Sequence, residues 1–120
     1  MATPPWELLA RGAELFNAGK HWEAHEAWED LWRATGGPLR LFYQGLVQAA
    51  VGMHHLQHGN LNGGRSQLTK SIDKLSQYPP RFCRIDNGKL VEDLRQILAA
   101  GEIGSIVIVR DEKPMVESEG

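Results

Sequence analysis

His25 and Glu29 stand four residues apart in a tryptophan-rich segment, His21-Trp22-Glu23-Ala24-His25-Glu26-Ala27-Trp28-Glu29-Asp30-Leu31-Trp32. On a helix that spacing brings their β-carbons to roughly 5–6 Å, close enough for a hydrogen bond or for both side chains to ligate one cation. Turning about 100° per residue gathers His21, His25, Trp28, Glu29 and Trp32 on one face and leaves Glu23, Glu26 and Asp30 on the other. Those last three carboxylates read as solvated charges. Glu29 shares its face with tryptophans that a core would take, so it must find a partner or a proton.

The same projection applied to a later segment places Gln44, Gln48, Val51 and His55 within roughly 60° of one another. If the two stripes face each other, His25, Glu29, Gln48 and His55 meet between helices, the way bundle proteins build metal sites. Two histidines and a carboxylate would hold a divalent cation with coordination positions left open, as hydrolytic or oxygen-activating centres require. On that reading His25, Glu29 and His55 are the metal ligands, and Gln44, Gln48 and Trp32 line and pack the polar pocket. No catalytic residue beyond them is assigned, since Glu26 lies about 100° around the helix from His25, too far to serve as general base. The other open reading needs no metal: a buried Glu–His pair, with glutamines satisfying the remaining donors and acceptors, holds two helices in register.

Other reactive residue types carry less. His21 and His58 fall near helix ends and His54 points off the His55 stripe, so none is expected as a ligand. Trp6, Trp22, Trp28 and Trp32 are expected in the core. Cys83 follows Phe82 in a loop with no feature that would favour its thiolate. Neither a glycine-rich phosphate loop nor a Ser-His-Asp ordering occurs.

Helices must position these residues. Thr3-Pro4 is a helix start, the hydroxyl capping and proline occupying the first turn, and Trp6, Leu9, Ala10, Ala13 and Phe16 follow at helical spacing. Gly19 ends that helix, and a second runs from about Lys20 to Ala34. Gly36-Gly37-Pro38 breaks the chain before the longest segment, Pro38 to His58, whose apolar residues cover most faces and predict a central helix. Asn60 caps a fourth helix carrying Leu61, Leu68, Ile72 and Leu75. Gln77 to Gly88, with Pro79-Pro80, reads as irregular, and Leu90, Val91, Leu94, Ile97 and Leu98 mark a fifth helix ended by Gly101.

Ile103, Ile106, Val107, Ile108 and Val109 then form a β-branched run followed by a charged tail. The run has strand character without a second strand in the chain to pair it, so pairing with a symmetry mate, packing on the helices and disorder all remain open. An unpaired strand edge would favour a homodimer. The expected architecture is thus all-α: a compact bundle of about five helices over residues 1–101 and an extension over 102–120.

Composition narrows the partners. The 120 residues carry 13 basic and 15 acidic side chains, a net charge of −2, with no basic stripe to neutralise a phosphate backbone. Nucleic acid is not expected. Apolar runs are interrupted by Gln44, Gln48, His54 and His55, so none reaches the roughly 20 residues that span a bilayer. A single cysteine and a start, Met1–Glu14, without a charged-then-apolar leader predict a reduced, cytoplasmic protein.

There is also an internal echo: Phe16-Asn17-Ala18-Gly19 before one helix and Leu56-Gln57-His58-Gly59 before another, forty residues on. Helix-Gly-helix pairs of this kind are similar to tetratricopeptide-type repeats, which supports a non-enzymatic interaction module in which the His/Glu/Gln cluster is structural.

A more specific likeness lies in Phe16-Asn17-x-Gly19-x-x-x-Glu23-Ala24-His25-Glu26-x-x-Glu29-x-x-Trp32-Arg33, then Tyr43-Gln44-Gly45-Leu46-Val47-Gln48-x-Ala50, then His55-x-x-x-Gly59-Asn60. Over roughly Phe16 to Leu98 the chain resembles the DUF309 family, with His25, Glu29 and Trp32 meeting its histidine-x3-glutamate-x2-tryptophan signature. The resemblance implies a small all-α bundle and a metal-dependent hydrolase activity inferred from that motif, with His25 and Glu29 as ligands, Trp32 packing beside them, and His55 and Gln48 as further contributors. Gly63-Gly64 departs from the family, which often has alanine after the Gly-Asn turn, and should loosen the start of the fourth helix.

Overall fold

The computed structural model describes residues 3–101, 104 and 106–110. Five helices run in order, α1 (Pro5–Asn17), α2 (His21–Ala34), α3 (Leu39–Gln57), α4 (Leu61–Leu75) and α5 (Asn87–Ala100), with two short strands, β1 (Arg81–Phe82) and β2 (Ile85–Asp86), between the last two. The all-α bundle expected from periodicity is the fold. The first helix starts one step later than its sequence signal: Pro4, without a side-chain cap, precedes Pro5 at the first helical position, so Thr3 does not cap it.

Each of the first four helices packs against the next, with the apolar α3 between α2 and α4. Its predicted central place follows from Phe42, Leu46, Ala49, Ala50 and Met53, all essentially inaccessible to water. Trp28 fills the α1–α2 contact, its indole Nε1 donating to the Leu9 carbonyl at 3.1 Å so that the buried donor is satisfied. Trp6 and Trp22 are not core residues: they are 69% and 44% exposed, Trp22 lying at the rim of the α2–α3 contact against His54. Helical spacing alone could not separate them from Trp28, because α1 and α2 carry aromatic residues on more than one face.

The two glycine turns are built alike. After α1, Gly19 has φ +80° and donates to Phe16 O at 3.0 Å, while Lys20 N donates to Leu15 O at 2.9 Å. After α3, Gly59 has φ +78° and donates to Leu56 O at 3.2 Å, while Asn60 N donates to His55 O at 2.8 Å. Both are Schellman closures, whose left-handed residue glycine adopts without a β-carbon penalty. The forty-residue echo is thus one turn geometry used twice, giving two α-hairpins, α1–α2 and α3–α4.

Gly63-Gly64 also has a place in the packing of α4. Asn60 Oδ1 accepts from Gly63 N at 3.0 Å, capping the helix. Gly64 lies against α3, where an added β-carbon would stand 2.5 Å from Leu56 Cδ2 and 3.2 Å from the Gly52 carbonyl; the reciprocal β-carbon at Gly52 would stand 3.2 Å from the Gly64 carbonyl. The helices cross with their backbones nearly touching, and the helix propensity lost at Gly64 is exchanged for that approach.

The segment read as irregular contains a hairpin. β1 and β2 pair antiparallel, Arg81 with Asp86 and Phe82 with Ile85, through a two-residue turn in which Cys83 and Arg84 have φ +51° and +62°. Two successive positive φ values are the mark of a type I′ turn, normally signalled by Asn-Gly, and Cys-Arg gave no such signal. Asp86 caps α5 by accepting from Lys89 N at 3.0 Å, so the helix begins at Asn87, three residues before Leu90. The buried Asn87 ties the loop down, donating to Leu75 O at 2.9 Å and Pro79 O at 3.2 Å.

The β-branched run also has a partner inside the chain. Ile85 and Arg110 form an antiparallel bridge, with Asp86 N donating to Val109 O at 2.8 Å. Ile106 and Ile108 are buried against the helices while Val107 and Val109 face out, the alternation of a half-buried strand. Lys89 Nζ donates to Val107 O at 3.2 Å, and Arg110 stands 3.6 Å from Glu14. The strand edge, the premise for a symmetric dimer, is thus partly closed within one chain. Ile103 and residues 111–120 lie outside the described residues. Among those described, no helix is long and apolar enough to cross a membrane.

Candidate functional site

Helix α2 presents His25, Glu29 and Arg33 in one row, four residues apart. His25 Nε2 is 3.6 Å from Glu29 Oε2, and Arg33 Nη2 is 3.3 Å from Glu29 Oε1. The Glu29 carboxylate therefore sits between an imidazole and a guanidinium on its own helix, about a third exposed, rather than sealed between helices. His25 is mostly shielded, and its Nδ1 faces the Trp22 carbonyl at 3.3 Å. A carbonyl only accepts, so Nδ1 carries a proton and the Nε2 edge toward Glu29 is set by whether the ring is neutral or charged.

The remaining predicted members are placed separately. Trp32 is half-buried, with the Arg40 guanidinium 4.3 Å over its ring, and its Nε1 has no hydrogen-bond partner. Gln44 and Gln48 are half-buried on α3, and Gln48 Oε1 is buried without a partner. His55 serves the α3–α4 turn: Asn60 Nδ2 lies 3.4 Å from its Nδ1. Because Asn60 Oδ1 is committed to Gly63 N, the amide nitrogen must face His55, which makes Nδ1 the acceptor and puts the proton of the neutral ring on Nε2. Among the described residues, no three His, Cys, Asp or Glu side chains come close enough to hold one metal ion. His25 and Glu29 are brought together; His55 is engaged elsewhere.

A cluster that the sequence reading passed over lies beside this row. The exposed Trp22 ring is flanked by His25 at 4.5 Å and His54 at 4.9 Å between centroids, and His54 in turn packs on His58 at 4.2 Å. Its signal in the sequence is two His-x3-His pairs, His21/His25 and His54/His58, of which His21, His54 and His58 are not expected as ligands when each is weighed singly. Desolvation, followed by the charges of His58, His55, His21 and His25, lowers the pKa of His54. Burial likewise lowers that of His21, partly opposed by a hydrogen bond with the Gln57 side chain.

Two further features lie apart from the row. Tyr43 is pushed up to about 12 by desolvation and then by Cys83, while desolvation raises the Cys83 thiol against a hydrogen bond from Tyr43, so burial disfavours its thiolate. A cleft of about 550 Å³ opens between the α1–α2 turn and the C-terminal segment, lined by Phe16, Asn17, His21, Gln57 and Ile106 among others.

An uncharacterised protein of Aquifex aeolicus (strain VF5) is 28% identical over 100 residues, which cover 82% of this chain and 30% of that protein. The chain therefore spans less than a third of the length of the curated relative it matches. Residues 9–67, from α1 into α4 and including His25, Glu29, Trp32, Gln44, Gln48 and His55, match the family described as "Domain of unknown function (DUF309)", and α5 with the C-terminal strand lies outside the matched region.

Proposed function

We propose that this chain is a helical binding module built from two like α-hairpins, with the His25–Glu29–Arg33 row acting as a helix-surface brace. The observation that supports this reading is the repeated Schellman closure at Gly19 and Gly59, which joins α1 to α2 and α3 to α4 through the same turn geometry, in keeping with the paired helices of stacked-hairpin interaction proteins. The match to less than a third of a longer relative fits a module that also occurs within larger chains. The solvent-facing Trp22, held between His25 and His54, supplies the kind of rigid amphipathic anchor that recognition surfaces use.

The second reading, a divalent cation held by His25 and Glu29 in a metal-dependent hydrolase, has its own support. Nδ1 bound to a backbone carbonyl is the usual means of orienting a metal-ligating histidine. A 3.6 Å separation of Nε2 and Oε2 exceeds a hydrogen bond but suits two ligands each roughly 2.0–2.1 Å from a shared ion, at an angle of roughly 120°. Catalytic zinc takes three protein ligands, so His55 would have to leave Asn60 to complete the set.

Elemental analysis of the tag-free protein and cation titration of wild type, His25→Ala and Glu29→Gln decide between them. The module reading expects no stoichiometric metal that both substitutions remove. A near-stoichiometric ion lost in both variants would replace it with the hydrolase reading.

A further inference from the structure

We infer that His54 and His58 form a surface site for a borderline transition-metal cation of the copper(II), nickel(II) and zinc(II) class, separate from His25 and Glu29. The two imidazoles end α3 at positions i and i+4, the spacing by which two histidines on one helical face chelate a single ion. Their rings are 4.2 Å apart between centroids and tilted by 41°, already gathered on one side of the helix.

The tautomer of His58 is fixed by the backbone. Its Nδ1 lies 2.9 Å from the His54 carbonyl, which can only accept, so the Nδ1 proton is committed and the neutral ring presents its lone pair on Nε2. His58 is exposed and His54 half-buried, so an ion reaches the pair from solvent. Helix polarity favours a cation here, because His54 is in the last turn of α3 and His58 is its C-cap, at the negative end of the helix dipole. His55, between them, is excluded by its bond from Asn60. No third His, Cys, Asp or Glu among the described residues joins the pair, so water fills the other coordination positions. With imidazole donors and no carboxylate, the order of affinity should follow copper(II) over nickel(II), with zinc(II) below copper(II).

Trp22 makes the site observable, since its indole stands 4.9 Å from the His54 ring and a paramagnetic ion bound there quenches its emission. The full, tag-free chain is titrated with copper(II) at neutral pH, following tryptophan emission and the electron paramagnetic resonance spectrum for nitrogen coordination. A saturable transition of one ion per chain is expected, with His58→Ala and His54→Ala each weakening it by about tenfold or more and Glu29→Gln leaving it in place. Circular dichroism establishes that each variant is folded, and the exposed His58 makes His58→Ala the safer of the two. Wild-type affinity in folded His58→Ala, the absence of a saturable transition in wild type, or its loss in Glu29→Gln would each overturn the site.

Discussion

Asn17 pairs with Ile108 as one strand residue pairs with another. Its Nδ2 donates to the Ile108 carbonyl at 3.0 Å, and its Oδ1 accepts from the Ile108 amide at 2.7 Å, across 91 residues of sequence. The side-chain amide at the end of α1 thus supplies the hydrogen bonds that a neighbouring strand would, and the bridge to Ile85 secures the next two residues. Substituting Asn17→Ala strands both backbone groups of a buried residue, and the expected loss is roughly 1–3 kcal/mol in denaturant unfolding. Hydrogen exchange of the Ile108 amide reads the same event locally, and unchanged protection in Asn17→Ala would show that Asn17 does not hold the segment.

Glu29 is braced but not sealed. With one oxygen facing the Arg33 guanidinium, the other facing the His25 imidazole, and a third of the side chain in water, the row contributes as exposed i, i+4 pairs do. Glu29→Gln is expected to cost under about 1 kcal/mol in chemical denaturation, with the loss shrinking further in high salt. A loss of about 3 kcal/mol or more would instead mean that His25 is left as a buried, unpaired charge.

Close approach at the α3–α4 crossing makes small residues there intolerant of growth. Gly52→Ala places a methyl group 2.7 Å from Leu68 Cδ2 and 3.2 Å from a backbone carbonyl, so the helices must part. A destabilisation of about 1–3 kcal/mol is expected despite alanine's better helix propensity. Thermal unfolding checks the sign, and a stabilised Gly52→Ala protein would show that the crossing yields cheaply.

The burial of His21 gives the fold a pH dependence. Its folded pKa lies below the ordinary 6.5, so the unfolded chain binds the proton more readily. Stability is therefore full above about 6.5 and falls as the pH drops from there toward the folded value. His54 shifts in the same direction and adds to the effect. Melting temperatures at pH 7.5 and 5.5 should differ less in His21→Phe than in wild type, and an equal difference would exclude His21 as a source.

Much of this molecule was legible in local residue order. Helical periodicity marked all five helices, Gly19 and Gly59 marked their turns, and four-residue spacing placed His25 beside Glu29, because each depends on backbone geometry within a few residues. What lay beyond reach was decided by contacts between distant segments. The Cys83-Arg84 turn carries no standard signal and sits where β2 is bridged to Arg110. The β-branched run found its partners in Asn17 and Ile85, pairings that no local pattern encodes. The polar stripes on α2 and α3 are properties of each helix alone, yet the packing of α2 on α3 set Trp22 against His54, while His55 turned to Asn60 at the end of its own helix. A helical wheel fixes angles within a helix, whereas the angle between helices follows from packing, here from Trp28 under α1 and from Gly52 and Gly64 where α3 meets α4.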